Sequence, residues 1–318
     1  MAERSIPKLA AMGTTAGVLT ITVIFNILAM GNPKTALFTN TTGSVYDYYT
    51  LEIVPASWTL ITLWAIIYIW QVLWIGYALS TICRKSASGP LYLHPAQMSV
   101  WFYAFFIANN ISNIIWQIVW DRFLLVPSLV FLALVPLTLN GCLVTVSKPL
   151  SNHQESLIKE GLTREVWMIH LFVENGILVY IAWTEIATLI NAAMVMHYLM
   201  GVAEELACTI VLVIFTVIFI TWFILDIFVF EEMYRYMFVY YPGVVVALSG
   251  IVNKNWDPTK RNQIFTVVLL AVACLATVVK LVLMVYRHKT RPMVAHKDEH
   301  SLIGVTAVSS TGSKQYTE

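Results

Sequence analysis

The sequence predicts an all-α fold, a polytopic transmembrane helix bundle of about eight spans. Three observations predict it. Of 318 residues, 58% are hydrophobic and 12% charged, about half the charged fraction of a soluble domain. Mean hydropathy is +0.73. The apolar residues also fall into separate runs, each near the roughly 20 residues that cross a hydrocarbon core as a helix.

The runs cover 10–30, 57–82, 99–120, 124–147, 166–196, 204–230, 236–253 and 263–286. The seventh is short and carries Pro242 and Gly243, both tolerated in membrane helices. Eight crossings put Arg4, Lys8, Arg84, Lys85, Lys148, Lys159, Arg164, Arg235, Arg287, Lys289 and Arg291 on one side. Short loops rich in Lys and Arg face the cytoplasm, so both termini are expected there. The opposing loops hold Lys34 and Arg122; the exception is the last, with Lys254, Lys260 and Arg261.

The longest outer loop, 31–56, contains Asn40-Thr41-Thr42, which makes Asn40 the candidate glycosylation site. Asn110-Ile111-Ser112 lies inside the third run and is expected unmodified. The basic start before residue 10 also fits a signal peptide. The apolar run is long for one and no A-x-A site follows, so a retained helix is the expectation. The segment 291–318 is polar and reads as a disordered cytoplasmic tail.

Composition excludes several functions. Net charge is +1 and no basic stripe is interleaved with aromatics, which excludes nucleic acid. Cys83, Cys142, Cys208 and Cys274 form no CxxC, so neither a disulfide framework nor a metal site is expected. No nucleophile elbow, phosphate loop, dinucleotide fingerprint or HExxH occurs, and nothing gives positive reason to expect an enzyme. His170 is the one histidine inside a run. It could ligate a haem iron, but a polar residue near a helix end is the favoured reading.

The aromatic residues, eleven Trp and fifteen Tyr among them, are arranged in stripes. Pro55 opens the second run, followed by Trp58, Trp64 and Tyr68. Trp64 and Tyr68, four apart, share a helix face. Asn109, Asn113, Trp116 and Trp120 form one stripe on the third run. Amides inside a membrane need partners, so this stripe faces protein or a pocket. Tyr180, Trp183, Ala187 and Asn191 form another on the fifth run. The small Ala187 beside two large rings suits either a close helix crossing or a ligand against an aromatic wall.

These residues resemble, in order and spacing, the motifs of the translocator protein family, also called tryptophan-rich sensory proteins (TspO/MBR-like). Pro55, Trp58, Trp64 and Tyr68 look like the start of that family's second helix, Asn113 and Trp116 like its Asn-x-x-Trp, and Tyr180, Trp183, Ala187, Thr188 and Asn191 like its fifth-helix run. The resemblance covers roughly 10–196. It implies a TspO-like five-helix core at 1–196, three additional C-terminal helices at 197–290 without counterpart in short members, and a lid formed by loop 31–56. It also implies an apolar pocket for porphyrins, sterols or other small apolar ligands. Trp58, Trp64, Tyr68, Asn113, Trp116, Tyr180, Trp183, Ala187 and Asn191 are the positions carried over. A single Pro55 stands where the family doubles its proline, and Glu185 where it has a small residue.

Glu174, Glu185, Asp226 and Lys280 are ionisable residues inside the runs. Glu174 and Glu185 share a face roughly 120–140° from Tyr180, at 100° per residue. A lone charge in lipid is costly, and similar depth pairs Glu174 with Lys280, docking the added helices on the core. A proton or ion path through the same residues is the rival. The function expected is therefore binding, sensing or translocating a porphyrin- or sterol-like ligand, with haem or porphyrin as the sole cofactor-like molecule. The alternatives are a proton- or ion-coupled secondary transporter, a receptor acting through its tail, and a porphyrin-modifying activity. The partners expected are the bilayer, the ligand and, as an option, a second copy of the chain. The sequon favours the plasma membrane or endomembranes, whereas short eukaryotic members of the family suggest mitochondria.

Overall fold

The computed structural model describes residues 5–31, 37–87, 89–93 and 98–291. The helices are α1 (Ile6–Met30), α2 (Thr42–Tyr48), α3 (Ser57–Cys83), α4 (Val100–Asp121), α5 (Leu125–Lys159), α6 (Thr163–Leu199), α7 (Glu204–Val229), α8 (Glu231–Tyr234), α9 (Tyr240–Asn255) and α10 (Arg261–Thr290). A two-residue hairpin, Lys85–Ser86 against Gly89–Pro90, follows α3. Residues 32–36 of the loop expected to act as a lid, and the tail beyond 291, lie outside the described residues.

Seven of these helices are long and apolar enough to cross a membrane. The eighth expected span is α9, and at 16 residues it reaches only about 24 Å. It nevertheless joins the two ends of the bundle. Ahead of it, the Tyr236 hydroxyl lies 2.9 Å from His288 Nδ1 near the end of α10. At its far end Asn255 donates to the Val54 carbonyl (2.8 Å), just before α3. The chain thus passes eight times between the ends, once through a short helix packed against α6, α3 and α10.

Close approach makes that packing feasible. A Cβ on Gly243 would meet Ala182 Cβ at 3.2 Å, and one on Gly250 would collide with Thr59. Small residues at such crossings let backbones approach without an intervening side chain. By contrast the outer faces of α7 and α10 present Val217, Ile220, Val272, Leu275 and Val282 outward, as lipid-facing helices do.

The described termini lie at the same end of the bundle. Ser5 N donates to the Tyr92 hydroxyl (3.3 Å), Arg84 pairs with Glu165 at the start of α6, and Trp167 packs on His288 with ring centroids 5.9 Å apart. At the opposite end, Thr39 N and Asn40 N donate to Asp121 Oδ1 (2.9 and 2.7 Å). Tyr46 packs on Trp120 at 4.8 Å, and burial raises the Tyr46 phenol pKa, keeping it neutral. Tyr198 donates to the Thr50 carbonyl (2.8 Å). The described part of the 31–56 loop thereby lies across the bundle end and is pinned to α4 and α6.

The expected Glu174–Lys280 pair does not form. Lys280 bonds instead to Asp226 of α7 and to the Tyr234 carbonyl (2.8 Å), while Glu174 takes His170 Nδ1 at 2.6 Å. The reason is azimuth: α10 packs on α7 and α9, and its lysine reaches the carboxylate on α7.

Candidate ligand site

The site lies where α1, α3, α4 and α6 meet. Trp64 stacks on Tyr68 (5.4 Å, 15°) and on Trp116 (6.2 Å, 26°), and meets Tyr180 edge-on (5.7 Å, 75°). Trp116 stacks in turn on Trp120 (6.0 Å, 27°). Each such ring pair contributes about 0.5–1.5 kcal/mol beyond its buried area, so this is a rigid wall. It forms because residues three or four apart on α3 and on α4 share a face, and the two faces oppose one another.

A network of amides borders the wall. Asn113 Oδ1 accepts from Asn26 of α1 (3.0 Å) and Gln117 (2.9 Å), with the Tyr68 hydroxyl at 3.4 Å. Asn26 and Gln117 were not anticipated. Gln117 stands four after Asn113 and was legible by helical spacing; Asn26 is a lone amide in an apolar run, a signal only because membrane amides need partners.

The network is incomplete. Asn113 Nδ2, Trp116 Nε1, Gln117 Oε1 and Trp183 Nε1 are buried with no hydrogen-bond partner among the described residues, as are both amide atoms of Asn191. Each unpaired buried polar atom costs about 1–3 kcal/mol. Such atoms on Asn109, Asn113, Trp116, Tyr180, Trp183 and Asn191 lie on the predicted aromatic stripes, while others, such as those of Ser128, Trp222 and Gln263, lie elsewhere in the bundle.

The carried-over residues do not all assemble. Trp64, Tyr68, Asn113, Trp116 and Tyr180 are joined by ring contacts or hydrogen bonds. Trp183, Ala187 and Asn191 are buried further along the same α6 face, with no ring contact or hydrogen bond among the described residues to the cluster. Trp58 is 44% exposed and donates to Asn253 of α9 (3.0 Å); it clamps α3 to α9 rather than lining the wall.

Glu185 and Glu174 lie on the other side of α6. Glu185 accepts from the Tyr240 hydroxyl of α9 (2.9 Å). His170 and Glu174 lie within a π-helical stretch, Ile169–Glu174, and His170 Nε2 and Glu174 Oε1 have no partner among the described residues. No group of three or more potential metal ligands occurs among the described residues. Asn40 uses its side-chain nitrogen on Thr39 Oγ1 and the Asp121 carbonyl (3.1 Å each).

No curated protein and no solved structure matches the chain. The family model described as TSPO-like protein matches residues 12–285. That match runs from α1 into α10, so it includes the three helices that the resemblance over 10–196 left without counterpart. On this evidence, together with seven membrane-length helices and an aromatic core built from the expected motifs, the chain belongs to the TSPO-like protein family.

Proposed function

We propose that the protein binds a small, flat, apolar ligand of porphyrin- or sterol-like character against the Trp64–Trp116 wall. The observation that carries this reading is the presence of unpartnered buried polar atoms, Asn113 Nδ2 and Trp116 Nε1, at the stacked rings, with Trp183 Nε1 and both amide atoms of Asn191 further along the α6 face that carries Tyr180. Pockets for small molecules combine apolar walls with a few convergent polar groups. The strap 37–56 lies over one end of this core and would have to shift to admit a ligand from that side.

Quenching of tryptophan fluorescence by a porphyrin and by a sterol tests the reading. Saturable quenching that Trp183→Ala and Asn113→Ala weaken, in protein that remains folded, supports it. Quenching that is non-saturable in the wild type sinks it.

A second reading, a proton-coupled carrier, draws on the π-helical stretch and the half-satisfied His170–Glu174 pair, because π-bulges concentrate at functional sites. Under it, Glu174→Gln and Glu185→Gln abolish a proton-dependent flux while leaving ligand quenching unchanged. Loss of quenching together with flux would favour a purely structural role for these carboxylates.

A further inference from the structure

At the end of the bundle that gathers both described termini there is a small pocket remote from the aromatic wall. It is lined by Lys8 of α1, Tyr77 and Thr81 of α3, Tyr92, Tyr103 of α4 and Glu165 of α6, with apolar side chains completing it. Lys8 is 94% buried (relative exposure 6%). It has no hydrogen bond or ion pair among the described residues.

The other charges in the pocket are already matched. Glu165 is bound by Arg84 and accepts from the Tyr77 hydroxyl (2.9 Å). One cation and one anion cancel, and among the described residues Lys8 leaves the pocket with an uncompensated positive charge. A buried ammonium is retained when a counter-charge or hydrogen-bond acceptor meets it. The Tyr92 hydroxyl already accepts from Ser5 N, so its proton is free to point at the same acceptor.

We propose that this pocket binds an anionic oxygen group, a phosphate or carboxylate, with Lys8 as its counter-ion and the Tyr92 hydroxyl as a second donor. The cavity of about 20 Å³ holds little more than one water-sized group. Only one or two oxygens of the anion enter, and the remainder of the molecule stays at the mouth. That geometry suits the headgroup of an anionic phospholipid whose chains lie along the first half of α1, where Ala10, Gly13, Thr14 and Gly17 face outward. The same bundle end carries Arg164 and Arg291 beside Arg84, Arg235 and Arg287, which are paired with Glu165 and Glu231, and cationic side chains at a membrane surface draw anionic lipid at about 1 kcal/mol per charge. A free phosphate offers the same oxygens, and the experiment separates the two sources.

The full-length protein in phosphatidylcholine nanodiscs is compared with the same protein in discs containing phosphatidylserine, and with inorganic phosphate added to the first. The expected result is a saturable rise in Tm with phosphatidylserine, retained in Lys8→Arg, reduced in Tyr92→Phe and absent in Lys8→Met. Native mass spectrometry of the wild type should show phosphatidylserine retained at least about fivefold over phosphatidylcholine, the worth of one such charge. A rise with inorganic phosphate that Lys8→Met also removes keeps the site and makes its anion a soluble one. A Lys8→Met protein that responds like the wild type in both arms overturns the proposal. Should Lys8→Met fail to fold, a wild type that retains the two lipids equally and ignores phosphate overturns it as well.

Discussion

The Lys280 ammonium is bound to the Asp226 carboxylate one helix away, and the Tyr241 hydroxyl donates to the second oxygen of the same carboxylate at 2.8 Å. With the Tyr234 carbonyl accepting from Lys280, the pair links α7, α8, α9 and α10 through one buried node. Breaking a buried pair strands a charge, which costs about 3–5 kcal/mol, whereas removing both partners costs far less. Asp226→Asn and Lys280→Met should each therefore lower Tm sharply, and the double variant should recover most of the loss. Thermal unfolding of the three proteins in one lipid checks it; single variants as stable as the wild type would show the node to be dispensable.

Asn175 is the second such node. Its Oδ1 accepts from Phe238 N and Val239 N (3.0 and 3.2 Å), and its Nδ2 donates to the His170 and Tyr236 carbonyls (2.7 and 2.8 Å). One side chain thus satisfies the link between α8 and α9 and the open π-helical turn of α6. Asn175→Ala leaves several buried backbone groups unpaired, each worth about 1–3 kcal/mol. The expected outcome is a loss of at least about 3 kcal/mol, with earlier amide exchange at 236–239 than elsewhere in the bundle. Uniform exchange across the bundle would contradict the docking role.

These two nodes also mark the limit of what was legible. Apolar run length located every membrane-length helix, and period 3.6 located the stripes on α3, α4 and α6, because both are local properties of the chain. Which helix faces which is set by long-range packing. Depth alone therefore assigned Lys280 to Glu174 when the azimuth of α10 gave it to Asp226. Trp58 matched a motif position but points to Asn253, since α9, a helix absent from the resemblance, covers that part of α3. Asn175 carried no motif, and its importance follows from the π-helical stretch of α6 just before it, which no spacing rule encodes.

Gly250 tests the close crossing of α9 on α3. An alanine there collides with the Thr59 side chain, and overpacking in a tight contact costs about 1–3 kcal/mol. Gly250→Ala should lower stability by that amount, and adding Thr59→Ala should recover part of it, because Thr59 Oγ1 makes no hydrogen bond among the described residues. The Trp58–Asn253 bond spans the same crossing, so Trp58→Phe should be mildly destabilising and leave ligand quenching unchanged. A Trp58→Phe protein with weakened quenching would return Trp58 to the ligand wall.

Asn191 separates a ligand-facing amide from a packing one. Both of its amide atoms are fully buried and unpartnered among the described residues, so in the unliganded protein it is a net cost. Asn191→Leu, of the same branched shape and without polar atoms, should raise Tm by an amount corresponding to about 1–3 kcal/mol. If the amide exists to meet the ligand, the same change should weaken porphyrin or sterol quenching by about tenfold, a loss near 1.4 kcal/mol. Asn113→Leu makes the control, because its Oδ1 already serves Asn26 and Gln117 and its removal should lower Tm. Asn191→Leu with higher Tm and unchanged quenching would exclude Asn191 from the site and confine the ligand wall to Trp64, Trp116 and Asn113.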